Sequence, residues 1–162
     1  YQFPEKLIPL MIQHALAHKP LPLYGDGRQV RDWLHVNDHC RAVDMVYRSG
    51  APGNIYNIGG NNERENIEIV QLIISVLREK TGDPGISDDL IQFVKDRPGH
   101  DRRYSIDSSR LQKELGWKPR ISFEEGIKST IQWYLDHQDW VNRVINQEYL
   151  RFYEENYLKR KD

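Results

Sequence analysis

The stretch YGDGRQVRDWLHVND, residues 24–38, organises the rest of the chain. Its two glycines, Gly25 and Gly27, tolerate positive φ and flank an aspartate that can hydrogen-bond its own backbone, so they predict a tight turn. The mostly apolar, β-prone run that follows predicts a half-buried strand over 30–36. Arg31 lies inside that run. A guanidinium held beside a buried strand needs a partner, because an unpaired buried charge is costly.

Two interpretations of Arg31 fit the sequence. In the first, the side chain pairs internally with Asp32 or another carboxylate. In the second, its planar fork of five donors binds a phosphate bidentately. The surrounding residues do not separate the two.

The composition is that of a globular protein large enough for one core. The chain has 162 residues, of which 29% are charged and 38% hydrophobic, and one domain is the default expectation at this length. Its 23 basic and 24 acidic residues leave a net charge of -1, so no overall field attracts nucleic acid or a membrane surface. Any anion-binding site is therefore expected to be local.

Cysteine and histidine usage narrows the possible chemistry. The single cysteine, Cys40, excludes an internal disulfide and a cysteine-rich metal site, and it suits a reducing compartment such as the cytoplasm. The six histidines show no metal-ligand pattern such as HxxxH with a nearby carboxylate on one helical face, and no apolar run reaches the length of a membrane span. The chain begins at Tyr1 without a methionine, which leads us to expect a piece of a longer protein.

Periodicity and capping residues predict a mixture of helices and short strands. We expect helices that open near Pro4 or Glu5, at Asn37 or Asp38, at Asn66, at Asp107 and at the capping box Ser122–Glu125. Gly82 and Gly116 are the expected ends of the third and fourth helices. Besides the strand over 30–36, strands are expected over Asn54–Ile58 and Leu90–Val94.

The segment DRPGH, residues 96–100, suggests a binding turn. Pro98 fixes φ and Gly99 permits a sharp bend, so Arg97 and His100 can project from its two shoulders toward one point. Two such groups suit a diphosphate. The alternative is a solvated loop whose charges cancel through neighbouring aspartates, and spacing alone favours that alternative.

Two further residues have both a structural and a functional interpretation. Asn66 is a suitable N-cap, yet a helix N-terminus also binds anions. Tyr24 can pack or can stack on a base, and packing is the commoner use of a tyrosine. The sequence contains no GxGxxG fingerprint, P-loop or nucleophile elbow, and no Tyr-x-x-x-Lys pair suited to acid–base catalysis. The residues alone therefore indicate anion binding and no visible catalytic machinery.

The order and spacing of five segments resemble the C-terminal half of nucleotide-sugar 4,6-dehydratases, which belong to the extended short-chain dehydrogenase/reductase family. The segments are YQFPEKLIPL (1–10), LPLYGDGRQVRDWLHVNDHCRA (21–42), NIYNIGGNNERENIEIV (54–70), DRPGHDRRYSID (96–107) and LGWKPRISFEEGI (115–127). RDWLHVNDH indicates the wider family of sugar-nucleotide enzymes, and FPEKLIPL with DRPGHDRRY narrows the resemblance to the 4,6-dehydratases. The match covers nearly the whole chain.

The resemblance implies an α/β fold in which residues 1–162 form the C-terminal nucleotide-sugar-binding region of a two-domain enzyme. The N-terminal Rossmann domain, with NAD and the catalytic residues, would be absent, which leaves an incomplete NAD-binding fold and a fragment that is inactive alone. The implied reaction converts dTDP-glucose to dTDP-4-keto-6-deoxy-glucose by oxidation at C4, loss of water and reduction at C6. The parent is expected to be a cytoplasmic homodimer that binds a dTDP-sugar and neither nucleic acid nor membrane.

The family's substrate contacts fall on ten positions of this sequence. The resemblance implies that Lys6 and Leu7 meet the sugar-nucleotide, and that Pro22, Leu23 and Tyr24 line the thymine largely through backbone groups. It implies that Arg31 and Arg97 hold the diphosphate with Asn66 and His100 nearby, and that Tyr157 contributes from the tail. No catalytic, cofactor-binding or metal-binding residue is expected within the chain. A sister dehydratase, epimerase or decarboxylase acting on a UDP- or GDP-sugar, and a non-catalytic binding module, remain alternatives.

Overall fold

Helices alternate with short strands in the computed structural model, which describes residues 2–145, 151 and 154–155. The helices are α1 (Leu7–Leu16), α2 (Val36–Ser49), α3 (Asn66–Thr81), α4 (Ser109–Leu115), α5 (Phe123–Asp136) and α6 (Gln138–Val144), with a 3₁₀ turn over Asp88–Leu90. The strands are β1 (Leu21–Tyr24), β2 (Val30–Asp32), β3 (Glu63–Glu65) and β4 (Ile91–Val94). The α/β class predicted from the sequence is confirmed.

The strands form two separate pairs. β1 and β4 run parallel, with Leu21 opposite Ile91 and Tyr24 opposite Val94. β2 and β3 run antiparallel, with Arg31 opposite Arg64. A parallel pair needs a long crossover between its strands, and here the chain between them contains β2, α2, β3, α3 and the 3₁₀ turn.

The chain divides into two compact units. Unit 1 comprises Tyr1–Arg28, Asn66–His100 and Lys128–Asp162, and unit 2 comprises Gln29–Glu65 and Asp101–Ile127. Each unit has its own sheet, because β1 and β4 belong to unit 1 and β2 and β3 to unit 2.

The core of unit 1 lies where α1 packs against α3 and β1. Apolar residues at helical spacing bury one stripe of each helix. The buried set includes Leu10, Met11, Ile12 and Ala15 of α1, Ile69, Val70, Ile73, Ile74 and Leu77 of α3, and Leu21 and Leu23 of β1. Gly82, at φ +69°, follows the end of α3 and donates its N–H to the Arg78 oxygen at 2.9 Å, as expected for the residue after a helix.

The core of unit 2 contains Ala42, Leu111 and Trp117. The buried Asp38 stabilises it through hydrogen bonds. Asp38 Oδ2 accepts hydrogen bonds from the backbone N–H groups of Arg120 and Ile121, each at 2.9 Å, and its backbone oxygen accepts one from the Trp117 indole at 3.2 Å. Burial by itself would raise the pKa of Asp38. Hydrogen bonds from Arg41 and from the two backbone groups outweigh it and hold the pKa below the usual value.

The strand expected over 30–36 is shorter than predicted. β2 ends at Asp32, and Val36, which is 62% exposed, already begins α2. The expectation that Asn37 or Asp38 caps this helix is also wrong. His35 is the N-cap, and its Nδ1 accepts from the Asn37 N–H at 3.3 Å. The apolar run misled the prediction because it continues into a helix.

The strand expected over Asn54–Ile58 does not form. That segment has no strand assignment, and Ile55 is 78% exposed. A single extended segment needs a neighbouring strand to satisfy its backbone, and none of the described strands pairs with this one. Glu63–Glu65 pairs with β2 instead, although its three charged residues carry no strand signal.

The helix starts were predicted with mixed success. The capping box is confirmed, because the Glu125 N–H donates to Ser122 Oγ at 3.3 Å while Glu125 Oε2 accepts from the Ser122 N–H at 3.3 Å. Asp107 lies one residue before Ser108, the N-cap of α4, although its carboxylate accepts from the Ser109 N–H at 2.9 Å. α1, however, begins at Leu7 rather than at Pro4 or Glu5, which lie in a preceding turn.

Candidate functional site

The carboxyl ends of β1 and β4 define the candidate site in unit 1. Because the two strands are parallel and in register, the chain leaves both of them at the same edge. The Gly25 N–H donates to the Val94 oxygen at 2.9 Å, so the turn after β1 stays attached to the end of β4. The segments 25–28 and 95–100 therefore emerge side by side. Such an edge is where α/β proteins commonly bind ligands.

The turn after β1 also contacts the first turn of α3. The Gly27 oxygen accepts from the Ile67 N–H at 2.9 Å. Gly27 has φ +74°, and a Cβ there would lie 2.5 Å from Leu23 Cδ2 and 3.2 Å from Ile67 Cβ. Only glycine fits this backbone conformation and this close approach. The amino end of α3 is thus held beside the strand ends, where the helix dipole favours an anion.

Asn66 is the first residue of α3 and does not serve as its side-chain cap. Its Oδ1 is buried and has no hydrogen-bond partner in the described part of the chain. The capping expectation is therefore wrong. The physical reason is that β3 leads directly into α3 and that the Gly27 oxygen, rather than a side chain, satisfies the Ile67 N–H. A buried, unsatisfied acceptor is costly, which makes it a good candidate for contact with a ligand.

The DRPGH segment forms the tight turn that the sequence predicted. The His100 N–H donates to the Arg97 oxygen at 3.2 Å across Pro98 and Gly99, and Gly99 has φ +67°. Arg97 is exposed, and no hydrogen bond or ion pair to its guanidinium is found among the described residues. Its five donors are available to a ligand.

His100 is packed into the turn beside Tyr24. Its Nδ1 lies 2.6 Å from Asp96 Oδ1, and its side chain is 6% exposed. The ring meets the Tyr24 ring edge to face, with centroids 5.7 Å apart and planes at 82°. Of the two interpretations of Tyr24, packing fits this contact, because its half-buried side chain orients the His100 imidazole. Asp96 does pair with a neighbour, as the solvated-loop alternative required, but the neighbour is a buried imidazole.

The remaining unit 1 candidates occupy the start of α1 and the body of β1. Lys6 is the exposed N-cap residue of α1 and pairs with Glu5 at 2.8 Å, and Leu7 is half-buried. A short connection joins α1 to β1, and the two elements pack against each other. Pro22 and Leu23 are buried, which leaves mainly their backbone groups for contact with a ligand.

Arg31 belongs to unit 2 and is held by groups of that unit. Its Nη1 donates to the Val30 oxygen at 2.7 Å, its Nη2 donates to the Asp101 oxygen at 3.1 Å, and its Cζ lies 4.4 Å from the Tyr104 ring centroid. Asp32, its neighbour in sequence, accepts from the backbone N–H groups of Gly60 and Asn62 at 2.8 Å each. The half-buried guanidinium is thus fixed by carbonyls and an aromatic face.

The structure brings Tyr24, Asn66, Arg97 and His100 to the carboxyl edge of the β1–β4 pair, or to the helix start attached to it. Tyr157 lies outside the described residues. The sequence analysis predicted the turn at Gly27 and the charge of Asp96, but not the contact of Gly27 with α3 or that of Asp96 with His100. The spacing of Asp96, four residues before a histidine and across a Pro-Gly bend, was the available signal.

The described residues show neither a metal cluster nor a membrane helix. No group of three or more histidine, cysteine, aspartate or glutamate side chains is placed to hold a metal ion in that part of the chain. None of its helices combines the length and the apolar composition that a bilayer crossing requires.

Comparison with known proteins gives consistent matches. The family model described as GDP-mannose 4,6 dehydratase matches residues 1–130. A dTDP-glucose 4,6-dehydratase of Xanthomonas campestris pv. campestris is 55% identical over 153 residues, which are 92% of this chain and 43% of the relative. The chain therefore spans less than half the length of the curated relatives it matches.

Solved structures of similar proteins share the fold. A dTDP-glucose 4,6-dehydratase from Bacillus anthracis str. Ames in complex with NAD is 49% identical with a TM-score of 0.80, over 89% of this chain and 43% of that one. DesIV, a dTDP-glucose 4,6-dehydratase from Streptomyces venezuelae with NAD bound, is 41% identical with a TM-score of 0.82, over 89% of this chain and 42% of that one.

Proposed function

The chain belongs to the GDP-mannose 4,6-dehydratase family, and from that membership we propose that it is the nucleotide-sugar-binding region of a dTDP-glucose 4,6-dehydratase. Membership agrees with the resemblance of its motifs to the extended short-chain dehydrogenase/reductases. The relative and the two solved structures described above carry the dTDP-glucose name, which supports dTDP-glucose as the substrate.

One observation carries the proposal. The parallel ends of β1 and β4 place an exposed guanidinium, Arg97, and a buried imidazole, His100, on a single turn beside Tyr24. Charge-assisted hydrogen bonds from such groups are the strong ones, and they suit the oxygens of a diphosphate. The amino end of α3, beside the same turns, adds a favourable dipole. In a chain of net charge -1, this local concentration of donors is what would attract the nucleotide.

In the proposed mechanism this chain supplies binding rather than bond breaking. Arg97 and His100 hold the diphosphate, the backbone of Pro22–Tyr24 lines the thymine, and Asn66 offers its buried oxygen to a donor of the ligand. Lys6 and Leu7 contact the sugar-nucleotide, and Tyr157 is assigned by resemblance. The role of Arg31 toward the diphosphate is likewise assigned by resemblance. Binding energy gained at the nucleotide would position the glucosyl ring, so its loss should reduce turnover as well as affinity.

NAD, the cofactor named with both solved structures, does not fit the described residues of this chain. A dinucleotide site needs a glycine-rich turn between a strand and the amino end of a helix. Here the Gly25–Gly27 turn leads from β1 toward β2, and β3 runs into α3 without a glycine between them. We propose that NAD and the groups for oxidation, water loss and reduction belong to a Rossmann domain outside this chain. The chain alone would then be inactive.

The setting of the parent protein follows from the same proposal. We place it in the cytoplasm as a homodimer, where the single, exposed Cys40 would stay reduced. Its ligand is the dTDP-sugar, and neither nucleic acid nor a membrane is a partner.

The test is isothermal titration calorimetry of the 162-residue chain with dTDP, UDP and GDP in parallel. We expect saturable binding of dTDP, with UDP and GDP at least tenfold weaker. Preference for UDP or GDP would favour a sister enzyme, an alternative kept open by the GDP-sugar name of the family model. Absence of binding to all three would overturn the proposal and favour a module with another ligand.

A further inference from the structure

A histidine lies on the buried face of α1, near the carboxyl end of the helix. His14 is 7% exposed, and the residues that flank it on this face, Ile12 and Ala15, are fully buried. The elements that pack against α1 are α3 and β1, and the buried residues of both are apolar. A positive charge placed in such surroundings is costly.

His14 holds the connection between α1 and β1, residues 17–20, by two kinds of contact. Its Nδ1 lies 2.6 Å from the Pro20 oxygen. A carbonyl oxygen can only accept a hydrogen bond, so Nδ1 carries a proton and donates it. The His14 backbone oxygen in turn accepts from the N–H groups of Lys19 at 2.9 Å and of Ala17 at 3.1 Å. One residue therefore holds the beginning and the end of the connection.

The closed connection contains a strained residue. His18 has φ +51°, in the left-handed region that residues other than glycine rarely adopt. Such a conformation persists only while the contacts around it hold it. Weakening the contacts of His14 would therefore favour an open connection.

A second proton on the His14 ring opposes the closed arrangement. Protonation adds a proton at Nε2 and gives the buried ring a positive charge. Burial disfavours that charge more than the hydrogen bond to Pro20 favours it, and the ammonium of Lys19 adds repulsion, so the pKa of His14 lies below its ordinary value of 6.5. The nearby carboxylate of Asp83, on the loop after α3, is paired with His18 at 3.0 Å.

We propose that His14 is a pH-sensitive switch in the connection between α1 and β1. While the ring is neutral, residues 17–20 stay closed and β1 is supported at its first residue, Leu21. When the ring is protonated, the connection opens and the start of β1 loses this support. The inference goes beyond the proposed function and does not depend on it. It gives a conformational response to pH to the strand that contains Pro22–Tyr24.

The experiment measures backbone hydrogen exchange over residues 17–24 by mass spectrometry between pH 5 and pH 8. The wild type is compared with His14→Asn, which keeps an N–H donor for the Pro20 oxygen but does not titrate. His18→Asn is the matched control, because it removes the exposed histidine of the same connection and asparagine tolerates positive φ. Each rate is divided by the intrinsic exchange rate at that pH, so the resulting protection reports opening alone.

The sign of the effect follows from the lowered pKa. The closed form is fully favoured above 6.5, the value of the open chain, and loses stability as the pH falls below it. Each pH unit below 6.5 at which the closed ring stays neutral favours opening by up to about tenfold.

We expect wild-type protection to fall by about fivefold or more between pH 7.5 and pH 5.5. Protection of His14→Asn should change by less than about twofold over the same range, and His18→Asn should keep the wild-type fall. A wild type without this fall, or a fall of equal size in His14→Asn, would overturn the inference.

A second measurement on the wild type keeps the test decisive if His14→Asn does not fold. Imidazole ¹⁵N chemical shifts at pH 7.5 should show the Nδ1–H tautomer of His14, and its titration midpoint should lie below 6.5. The Nε2–H tautomer, or a midpoint at or above that value, would contradict the switch. Neither readout uses a nucleotide, so a failure to bind dTDP would count against the proposed function alone.

Discussion

The Gly27 carbonyl accepts a hydrogen bond from the Ile67 N–H at 2.9 Å, so the turn that leaves β1 is attached to the first turn of α3. This single bond joins segments about 40 residues apart in the chain. Because the Gly27 oxygen already satisfies the Ile67 N–H, that group of α3 needs no side-chain cap. The backbone of the turn comes so close to Leu23 and Ile67 at residue 27 that only a glycine fits there.

Replacing that glycine should be costly. We expect Gly27→Ala to lower the free energy of unfolding by about 2–4 kcal/mol, because the new methyl group combines strain at positive φ with a clash against Leu23. Urea unfolding followed by circular dichroism measures the change. The matched control is Gly82→Ala, at φ +69° with open space around its Cβ, which should cost only about 1 kcal/mol. Equal losses for the two variants would show that the close approach is unimportant.

Arg31 should matter for affinity more than for folding. Arg31→Ala is expected to weaken dTDP binding by tenfold or more, since a hydrogen bond to a charged group is worth about 1.5–3 kcal/mol. Calorimetry with dTDP measures the effect, and Arg48→Ala serves as control because Arg48 is exposed and pairs only with Asp44 four residues earlier among the described residues. A folded Arg31→Ala chain with unchanged dTDP affinity would count heavily against the assignment.

Asp38 should make unit 2 sensitive to acid. Its pKa in the folded protein is lower than in the unfolded chain, despite burial, because of the hydrogen bonds from Arg41 and from the backbone of Ile121 and Arg120. The stabilisation is therefore complete above the unfolded value, near 3.8, and is lost as the pH falls through the lowered pKa. Asp38→Asn should lose about 2–3 kcal/mol at pH 7 and show a flatter acid dependence.

The measurement for Asp38 is urea unfolding at intervals from pH 7 to pH 2.5. Other carboxylates titrate in the same range, so the informative quantity is the difference between the wild type and Asp38→Asn at each pH. Asp107→Asn is the control, because Asp107 also has a pKa lowered by hydrogen bonds from Ser109 but is exposed to solvent. If the difference between Asp38→Asn and the wild type is constant with pH, Asp38 does not contribute to the acid dependence.

NAD should not bind to this chain. The physical reason is the lack of a glycine turn at a strand-to-helix junction in the described residues. Calorimetric titration with NAD up to millimolar concentration should give only heats of dilution, while dTDP in the same buffer gives a binding isotherm. Clear saturation by NAD would place a cofactor site within these 162 residues and revise the proposed division of labour.

The helices were more predictable than the strands, for reasons visible in individual residues. α3 and α5 follow local rules, namely apolar stripes and a capping box, that act within a few residues of each other. β3 depends on β2, whose paired residues lie 31 to 35 positions earlier in the chain, and the Glu-Arg-Glu sequence of β3 does not indicate a strand. At Asn54–Ile58 a strand was predicted and none forms, because these strand-like residues have no partner strand in the described part of the chain.

The candidate site was predictable to a similar extent. The bend of DRPGH follows from Pro98 and Gly99 alone, and the structure has it. The pairing of Asp96 with His100 was not predictable in the same way. It depends on packing of the His100 ring against Tyr24, which lies 76 residues from His100 in sequence. The resemblance of motifs was enough to identify residues 96–100 as a candidate site, but the orientation of the His100 imidazole could be seen only in the structure.

The parallel ladder between β1 and β4 has a consequence for the order of folding. Its strands lie about 70 residues apart in the chain, and closing a loop of that length costs about 4 kcal/mol of entropy. Four residue pairs of backbone bonding return only a similar amount. We therefore expect the ladder to form only after α1 and α3 have packed against each other, and the turns at its end to form last. The carboxyl edge of this ladder, with the turn that carries Arg97 and His100, is then expected to reach its native arrangement late in folding.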